Sequence, residues 1–395
     1  MGRLEDGRSF AAAIHLSNVG FHISQGDIPR CAALLSSSAY RVLPPRLRPF
    51  SGTEELAFLQ FDSLGDRTQA YRRLFNNKIF SPDGNEKPAE TFLMEKQIHG
   101  WMEISGQARP GHSVDLVFAE PRIRAADAVP AAAGAVVAPI LTAADAALRL
   151  ASIDIETDTR QGTILAIGVA WTYAQSLDGK DSEIIQGRKL RVLGTGKAAA
   201  TDTPAIIFHP DEASLLRSFI ADIRDIDPDV LTGWNFLDFD FKQIAERCAH
   251  HHIPLLLGRS DDDEAKYFPP PNKGGGAFWG RGSSATALVP GRQVLDALRI
   301  IRAGGRNILV AADEGPSDSY RGSFSLEAVS RRVLGEGKLV ASSGEDKIAE
   351  LEKLYIEDIE QFALYCLRDA ELVLRILAAT GLFRLTVERA NLTAV

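Results

Sequence analysis

The alternation of hydrophobic and polar residues divides the chain into short strands and amphipathic helices. Between residues 149 and 171, two apolar runs flank a polar turn that ends in Gly162, which predicts an antiparallel hairpin. Elsewhere, apolar residues three and four positions apart predict helices. The predicted strands cover residues 56–61, 92–104, 114–118, 149–157, 163–171, 190–193, 205–208 and 230–234. The predicted helices cover residues 66–76, 211–226, 239–251, 326–334 and 356–380.

This order of elements predicts an α/β (α+β) protein with two domains. Residues 1–127 are expected to form a smaller mixed α/β domain, and residues 147–395 a larger one. The segment between them, 128–146, is rich in Ala and Pro and predicts a linker. Residues 258–290 contain an acidic run, three consecutive prolines and three consecutive glycines, which predicts a flexible insertion in the larger domain.

Composition narrows the classes of function. The 395 residues are 45% hydrophobic and carry a net charge of −8, which excludes binding to nucleic acid or membrane through an overall positive charge. The three cysteines form no C-x-x-C pair, so neither a zinc ribbon nor a disulfide framework is expected. The N-terminus is acidic where a signal peptide needs an apolar run, and we therefore expect a cytoplasmic protein without a membrane helix.

Two carboxylates lie on one face of the first predicted strand of the larger domain. Side chains alternate along a strand, so Asp154 and Glu156 point to one side while Ile153 and Ile155 point to the other. On an exposed strand such a pair is harmless. In a buried strand the two charges repel each other and are costly to desolvate, and a bound cation would neutralise both. The strand pattern alone leaves these two interpretations open.

Two further acids come from later segments. Asp240 falls in the first turn of a predicted helix, where its charge also suits the helix dipole, so a plain helix-start role competes with a functional one. Asp238 is the expected N-cap of that helix. Asp369 follows Tyr365 by four residues, which places both on one helical face. Carboxylates and a phenol are hard oxygen groups of the kind that suit Mg²⁺ or Mn²⁺.

The same segments resemble the exonuclease motifs of family B DNA polymerases. The matching stretches are D-I-E-T at 154–157, D-P-D-V-L-T-G-W-N-x-x-x-F-D at 227–240 and Y-x-x-x-D at 365–369. Weaker similarities are F-L-M-E-K at 92–96, G-R-Q-V-L-D at 291–296, F-S-L-E at 324–327 and L-G-E-G-K at 334–338. The resemblance covers most of the chain. It implies a ribonuclease H-like 3′→5′ exonuclease domain of the class with four acids and a tyrosine, preceded by the N-terminal domain of such polymerases.

For the chemistry, the resemblance implies hydrolysis at the 3′ end of single-stranded DNA with two divalent ions, Mg²⁺ or Mn²⁺. Asp154 would bridge both ions, and Glu156 and Asp369 would complete one ion site. Asp240 would hold the second ion, partly through water, and Tyr365 would orient the attacking water.

The resemblance also implies contacts with the 3′ nucleotide. The candidates are Thr157, Asn235 and Phe239. For Phe239 the alternative is packing in the core at the start of a helix. Asp296, which ends one of the weaker similarities, is assigned no chemistry.

The resemblance does not extend to polymerisation. No D-x-x-S-L-Y-P-S-like or D-T-D-S-like segment occurs in the sequence, so polymerase activity is not expected of this chain. The expected partners are single-stranded DNA or a primer 3′ end and a separate polymerase polypeptide, in association with the nucleoid. Two alternatives remain, a catalytically silent scaffold or DNA-binding module and an exonuclease that acts on RNA. The presence of all four acids and the tyrosine favours the enzyme.

Overall fold

A computed structural model describes residues 1–16, 19–36, 38–46, 55–84, 88–98, 100, 102–125, 148–158, 160–178, 184–195, 205–270, 284–304, 323–336 and 345–393. The predicted linker 128–146 lies outside the described residues. The chain forms two compact units. The first comprises the described residues of Met1–Ala11, Arg109–Val117 and Pro139–Ala390, and the second those of Ala12–Ala108, Phe118–Ala138 and Asn391–Val395.

Strands and helices alternate along the described residues. The strands are β1 Gly2–Arg3, β2 Ser9–Ala13, β3 Val19–Ser24, β4 Arg41–Leu43, β5 Leu56–Phe61, β6 Met102–Ser105, β7 Ala108–Pro110, β8 Leu116–Ala119, β9 Arg122–Ala125, β10 Arg149–Thr157, β11 Ile164–Tyr173, β12 Gly187–Leu193, β13 Ile206–His209, β14 Val230–Gly233, β15 Lys266–Phe268, β16 Thr286–Leu288 and β17 Gln293–Asp296. The helices are α1 Ile28–Leu34, α2 Leu64–Asn76, α3 Pro88–Glu95, α4 Glu212–Ile226, α5 Asp240–His250, α6 Ala297–Gly304, α7 Leu326–Leu334, α8 Glu345–Glu357, α9 Ile359–Thr380 and α10 Leu382–Thr393.

A six-stranded mixed sheet forms the centre of the first unit, in the order β13-β12-β11-β10-β14-β17. Strand β11 is antiparallel to both of its neighbours, and the other pairings are parallel. Apolar residues of α7, α8 and α9 cover one face, and those of α4 and α5 cover the other. Because both faces are covered, the central strand β10 is largely buried.

The predicted hairpin is confirmed, and one glycine in it determines what packs against it. Asp154 lies opposite Gly168 in the antiparallel register of β10 and β11. A Cβ atom at Gly168 would lie 2.8 Å from the Cα of Leu367, so only glycine admits the backbone of α9 at this depth. This close approach brings the middle of α9 beside β10.

The second unit contains a three-stranded antiparallel sheet in the order β3-β5-β4. Its apolar core includes Phe21, Leu59 and Leu74 and is closed by α1 and α2. Elsewhere in the described residues of both units, short strands form further sheets with the orders β1-β2-β8-β7, β6-β9 and β15-β16. The described residues therefore confirm a mixed α/β protein.

One predicted element was wrong. Residues 92–104 form the end of α3 and the strand β6 rather than one strand. Pro88 at the start of α3 and Glu90 in its first turn are both favourable for a helix at these positions. The long helix predicted for 356–380 is confirmed as α9, which begins at Ile359 because the carboxylate of Asp358 accepts a hydrogen bond from Gln361 N (3.0 Å) and caps it.

The ends of segment 258–290, predicted to be a flexible insertion, carry secondary structure. Strand β15 pairs antiparallel with β16, while residues 271–283 lie outside the described residues. Ladder hydrogen bonds satisfy the backbone of these paired ends. The flexibility of the insertion stays a prediction. No helix in the described part of the chain has the length and apolar character that a membrane span requires.

Candidate active site

Three carboxylates converge where β10 faces α9. Asp154, Glu156 and Asp369 each offer one oxygen, and these oxygens lie within 4.8 Å of one another. Asp154 and Glu156 are half-buried, and Asp369 is buried. The backbone carbonyl of Asp154 accepts a hydrogen bond from the Cys366 thiol (3.2 Å), which ties the strand to the helix. The strand period singled out Asp154 and Glu156, and the helix spacing singled out Asp369. The fold brings these three residues together.

Tyr365 lies one turn before Asp369 on α9 and is fully buried. Its phenol donates a hydrogen bond to the Asp369 carboxylate. Burial raises the pKa of Tyr365 above the ordinary value of 10.0, and the negative charges of Asp369, Glu156 and Asp154 act in the same direction. The phenol therefore stays protonated and serves as a hydrogen-bond donor.

Asp240 contacts the same strand from α5, which packs on the opposite face of the sheet from α9. It is the first residue of α5, it is buried, and its Oδ1 accepts a hydrogen bond from Ile155 N (3.2 Å). It is not one of the three residues whose oxygens lie within 4.8 Å of one another. Burial raises the pKa of Asp240 well above 3.8, and the charges of Glu156 and Asp296 add to this effect.

The prediction that Asp238 is the N-cap of α5 was wrong. Phe239 occupies the N-cap position, without a side-chain cap hydrogen bond. The Asp238 carboxylate instead accepts a hydrogen bond from Nη2 of Arg299 (2.8 Å). A charged partner offers a stronger hydrogen bond than a helix amide, and the partner comes from a distant part of the sequence.

The three candidates for contact with the 3′ nucleotide lie near these acids in the chain. Thr157 ends β10 and is half-buried. Asn235 follows β14 with a left-handed backbone (φ 59°), and its carbonyl accepts hydrogen bonds from Asp238 N and Phe239 N. The Phe239 side chain is 46% exposed, so the alternative of packing in the core is wrong.

Sequence reasoning missed the role of Asp296. It ends β17, it is buried, and its Oδ2 accepts a hydrogen bond from Leu237 N (3.1 Å) in the turn before α5. One signal in the sequence was available: an acid that directly follows the apolar residues of a short strand.

Comparison with known proteins identifies the family. Residues 83–304 match the family described as DNA polymerase family B, exonuclease domain. The chain belongs to this family. It is similar to DNA polymerase II of Escherichia coli (strain K12), with 30% identity over 384 residues that cover 94% of this chain and 40% of the relative. It is also similar to the DNA polymerase delta catalytic subunit of Schizosaccharomyces pombe, with 28% identity over 63% of this chain and 22% of the relative.

The resemblance that the sequence motifs indicated is therefore confirmed. The chain spans less than half the length of these relatives. Within this family B exonuclease domain, the matched range includes the motifs at 154–157 and 227–240, whereas Tyr365 and Asp369 lie beyond it. The fold nevertheless brings Asp369 to the two acids on β10.

The residues of this family B exonuclease domain fit a divalent metal ion. Three carboxylates within 4.8 Å are a set of hard oxygen donors, which suits Mg²⁺ or Mn²⁺. Without a cation, like charges at this distance would disfavour one another in a half-buried site. The cluster can therefore hold a metal ion.

Proposed function

We propose that the chain is a metal-dependent 3′→5′ exonuclease that hydrolyses single-stranded DNA ends to nucleoside monophosphates. The observation that carries the proposal is the convergence of Asp154, Glu156 and Asp369 within a family B exonuclease domain. Relatives of the chain are named as DNA polymerases, which supports DNA as the substrate.

The proposed ligands of two divalent ions, Mg²⁺ or Mn²⁺, are the four acids. Asp154, Glu156 and Asp369 would hold one ion, and Asp154 together with Asp240 would hold the other. Bound ions would lower the pKa of a water molecule and offset the charge of the scissile phosphate. The contact of Asp240 with Ile155 N supports its assignment, since Ile155 lies between the two acids of β10.

Tyr365 orients the attacking water in the proposed reaction. Its burial keeps the phenol neutral, and its hydrogen bond to Asp369 fixes the ring beside the acids. The water oxygen forms a bond to phosphorus, and the bond from phosphorus to the 3′ oxygen of the preceding nucleotide breaks. The attacking water releases a proton to solvent and the departing oxygen takes one up, which leaves a shortened strand and a nucleoside 5′-monophosphate.

Thr157, Asn235 and Phe239 contact the 3′ nucleotide in this proposal. The exposed ring of Phe239 offers a surface for stacking on a terminal base, an interaction that tolerates any sequence. The polar side chains of Thr157 and Asn235 offer hydrogen bonds to the sugar and phosphate.

We also propose that the fold is ribonuclease H-like, which the strand order β12-β11-β10-β14-β17 with an antiparallel β11 supports. Residues 1–127 and 147–395 are the proposed domains. DNA as the substrate and polymerases as relatives support association with the nucleoid and with a separate polymerase polypeptide.

The test is digestion of an oligonucleotide labelled at its 5′ end. We expect the DNA strand to shorten one nucleotide at a time from its 3′ end with Mg²⁺ or Mn²⁺, and to stay intact with EDTA. The same strand made as RNA decides between the two sugars. An intact DNA strand under every divalent ion would contradict the proposal, and faster digestion of RNA would contradict its choice of substrate.

A further inference from the structure

Asp296 is a buried carboxylate that the proposed reaction does not use. Its side chain is only 1% exposed, and it stands beside Gly233 in the parallel register of β14 and β17. Its Oδ1 accepts a hydrogen bond from Arg299 N (3.2 Å), which caps α6. Its Oδ2 accepts one from Leu237 N (3.1 Å). A cap alone needs one acceptor oxygen, and the second oxygen reaches a turn 59 residues away in the sequence.

Arg299 lies in the first turn of α6. It binds Asp238, the residue that follows Leu237 in the loop before α5. Its Nη2 donates to Asp238 Oδ2 (2.8 Å), and its Nη1 donates to the backbone carbonyl of Ala285 (2.6 Å). The turn at residues 234–239 is therefore held from α6 at two successive residues, Leu237 and Asp238. We call Asp296 and Arg299 the turn clamp.

The turn carries the residues that face the proposed substrate. Asn235 has a left-handed backbone, a conformation that asparagine adopts in turns more readily than most residues other than glycine. Phe239 follows with its ring exposed, and Asp240 begins α5 with its carboxylate on Ile155 N. A hydrogen bond from an amide to a buried carboxylate is stronger than one to a neutral acceptor, so Asp296 is a rigid support for this turn.

We propose that Asp296 and Arg299 are positioning residues, which fix the turn at 234–239 so that Phe239 meets the 3′-terminal nucleotide and Asp240 stays beside β10. The proposal rests on the proposed exonuclease function, and it gives a role to two residues outside the four acids and the tyrosine. Neither residue touches the reacting atoms; both act through Leu237 and Asp238.

Two variants of the full chain test the turn clamp. Asp296→Ser keeps an acceptor that can cap α6 and loses the reach to Leu237. Arg299→Met leaves both hydrogen bonds of Asp296 in place and removes the side-chain hydrogen bonds of Arg299 to Asp238 and to the carbonyl of Ala285. The matched control is Asp211→Ser, which changes the N-cap of α4 in the same way, far from the turn in the sequence.

The first measurement is hydrogen exchange and does not depend on activity. We expect amide exchange in the segment 234–240 to quicken about 10- to 100-fold in Asp296→Ser, because the Leu237 amide loses its acceptor. Exchange in α9 should stay at the wild-type rate. Unchanged exchange in the turn would overturn the proposal.

The second measurement is the rate of 3′-nucleotide excision as a function of DNA and Mg²⁺ concentration. Both clamp variants should lower kcat/KM about 10- to 100-fold and raise the Mg²⁺ concentration for half-maximal rate, while Asp211→Ser matches the wild type. If the two residues only stabilise the fold, the variants will have a lower Tm but wild-type kcat/KM and Mg²⁺ dependence at temperatures below that Tm. That result would overturn the proposal. Failure of the wild type to digest DNA contradicts the proposed function itself, and the positioning role with it.

Discussion

At the scale of single residues, Tyr365 is distinguished by its surroundings rather than by its type. It is fully buried, its phenol donates to Asp369, and the negative charges of Glu156 and Asp154 are near enough to raise its pKa further. A phenol in such a site has one useful property, a hydroxyl at a fixed position that keeps its proton at neutral pH. Its proposed role is therefore to orient a water molecule.

Replacing this tyrosine tests that role. We expect Tyr365→Phe to lower kcat for 3′-nucleotide excision by about 10- to 100-fold and to change KM little, because the ring stays packed and only the orienting hydroxyl is lost. The measurement is single-turnover digestion of a labelled DNA strand.

The matched control is Tyr355→Phe on α8. The Tyr355 hydroxyl donates to the backbone carbonyl of Leu193 (2.7 Å), away from the acids in the sequence and on another helix. This variant should lose about 1 kcal/mol of stability and keep the wild-type kcat. Equal loss of kcat in both variants would contradict a specific role for Tyr365.

Much of the candidate site could be predicted because its residues follow local periodicities. The period of two along a strand paired Asp154 with Glu156, and the spacing of four along a helix paired Tyr365 with Asp369. Contacts between distant segments follow no such period. The bond from Ile155 N to Asp240 and the bond from Leu237 N to Asp296 both join segments that only the fold brings together.

At the scale of elements, one buried acid joins two helices and a strand behind the site. Glu212 begins α4, and its carboxylate accepts hydrogen bonds from Ile164 N at the start of β11 and from Arg247 on α5, with His251 Nε2 also at hydrogen-bond distance (2.7 Å). Burial acts to raise the pKa of Glu212, but these hydrogen bonds outweigh it and the pKa is lowered overall. Glu212 thereby fixes the hairpin of β10 and β11 against the helix that carries Asp240.

This lowered pKa predicts a pH-dependent contribution to stability. Glu212→Gln should reduce the free energy of unfolding by about 2 kcal/mol at neutral pH, because Arg247 loses its charged partner. The contribution is full above the unfolded pKa of about 4.3 and is lost as the pH falls through the lower folded value. Urea unfolding at a series of pH values measures it.

The control for Glu212 is Glu246→Gln on α5, where the exposed carboxylate lies 3.8 Å from Lys242. An exposed pair of this kind contributes little, so the control should match the wild type across the series. A difference between wild type and Glu212→Gln that grows as the pH falls would contradict the assignment.

Elements with strong local signals could be predicted, and those with conflicting signals could not. The bounds of β10 and α7 agree with the predicted 149–157 and 326–334, where the apolar period is unbroken. The apolar run around 92–96 suggested a strand, yet the start signals at Pro88 and Glu90 were the better guide. The start of α9 at Ile359 rather than at residue 356 is set by the cap at Asp358, which the apolar period does not indicate.

At the scale of the molecule, the first compact unit includes the N-terminal residues of the chain. Arg3 on β1 donates to Asp229 and to Asp227 at 2.7 Å each. Arg259 is also buried and binds both carboxylates, and the buried Arg292 binds Asp227. The residues between α4 and β14 are thereby held by arginines that precede and follow them in the sequence.

This network predicts that the N-terminal strand stabilises the first unit. Arg3→Met should lower its free energy of unfolding by about 2 kcal/mol, because the buried carboxylate of Asp229 and the half-buried carboxylate of Asp227 each lose a charged donor. Arg8→Met is the control, since Arg8 pairs with Asp6 where both side chains are at least 50% exposed, and its stability should be that of the wild type. Equal stability of Arg3→Met and the wild type in urea would contradict the anchoring role.

The central claim is that the acids on β10 and α9 form the site of 3′→5′ hydrolysis. The most direct measurement is the single-turnover rate at which Mg²⁺-supplied protein shortens a 5′-labelled DNA strand, compared between wild type, Asp154→Asn and Asp158→Asn. We predict that wild-type protein removes nucleotides stepwise from the 3′ end and that Asp154→Asn lowers the rate by at least about 10³-fold. Asp158→Asn should keep the wild-type rate, because Asp158 lies beyond the end of β10. Equal rates for Asp154→Asn and the wild type, or an undigested strand in all three, would contradict the account.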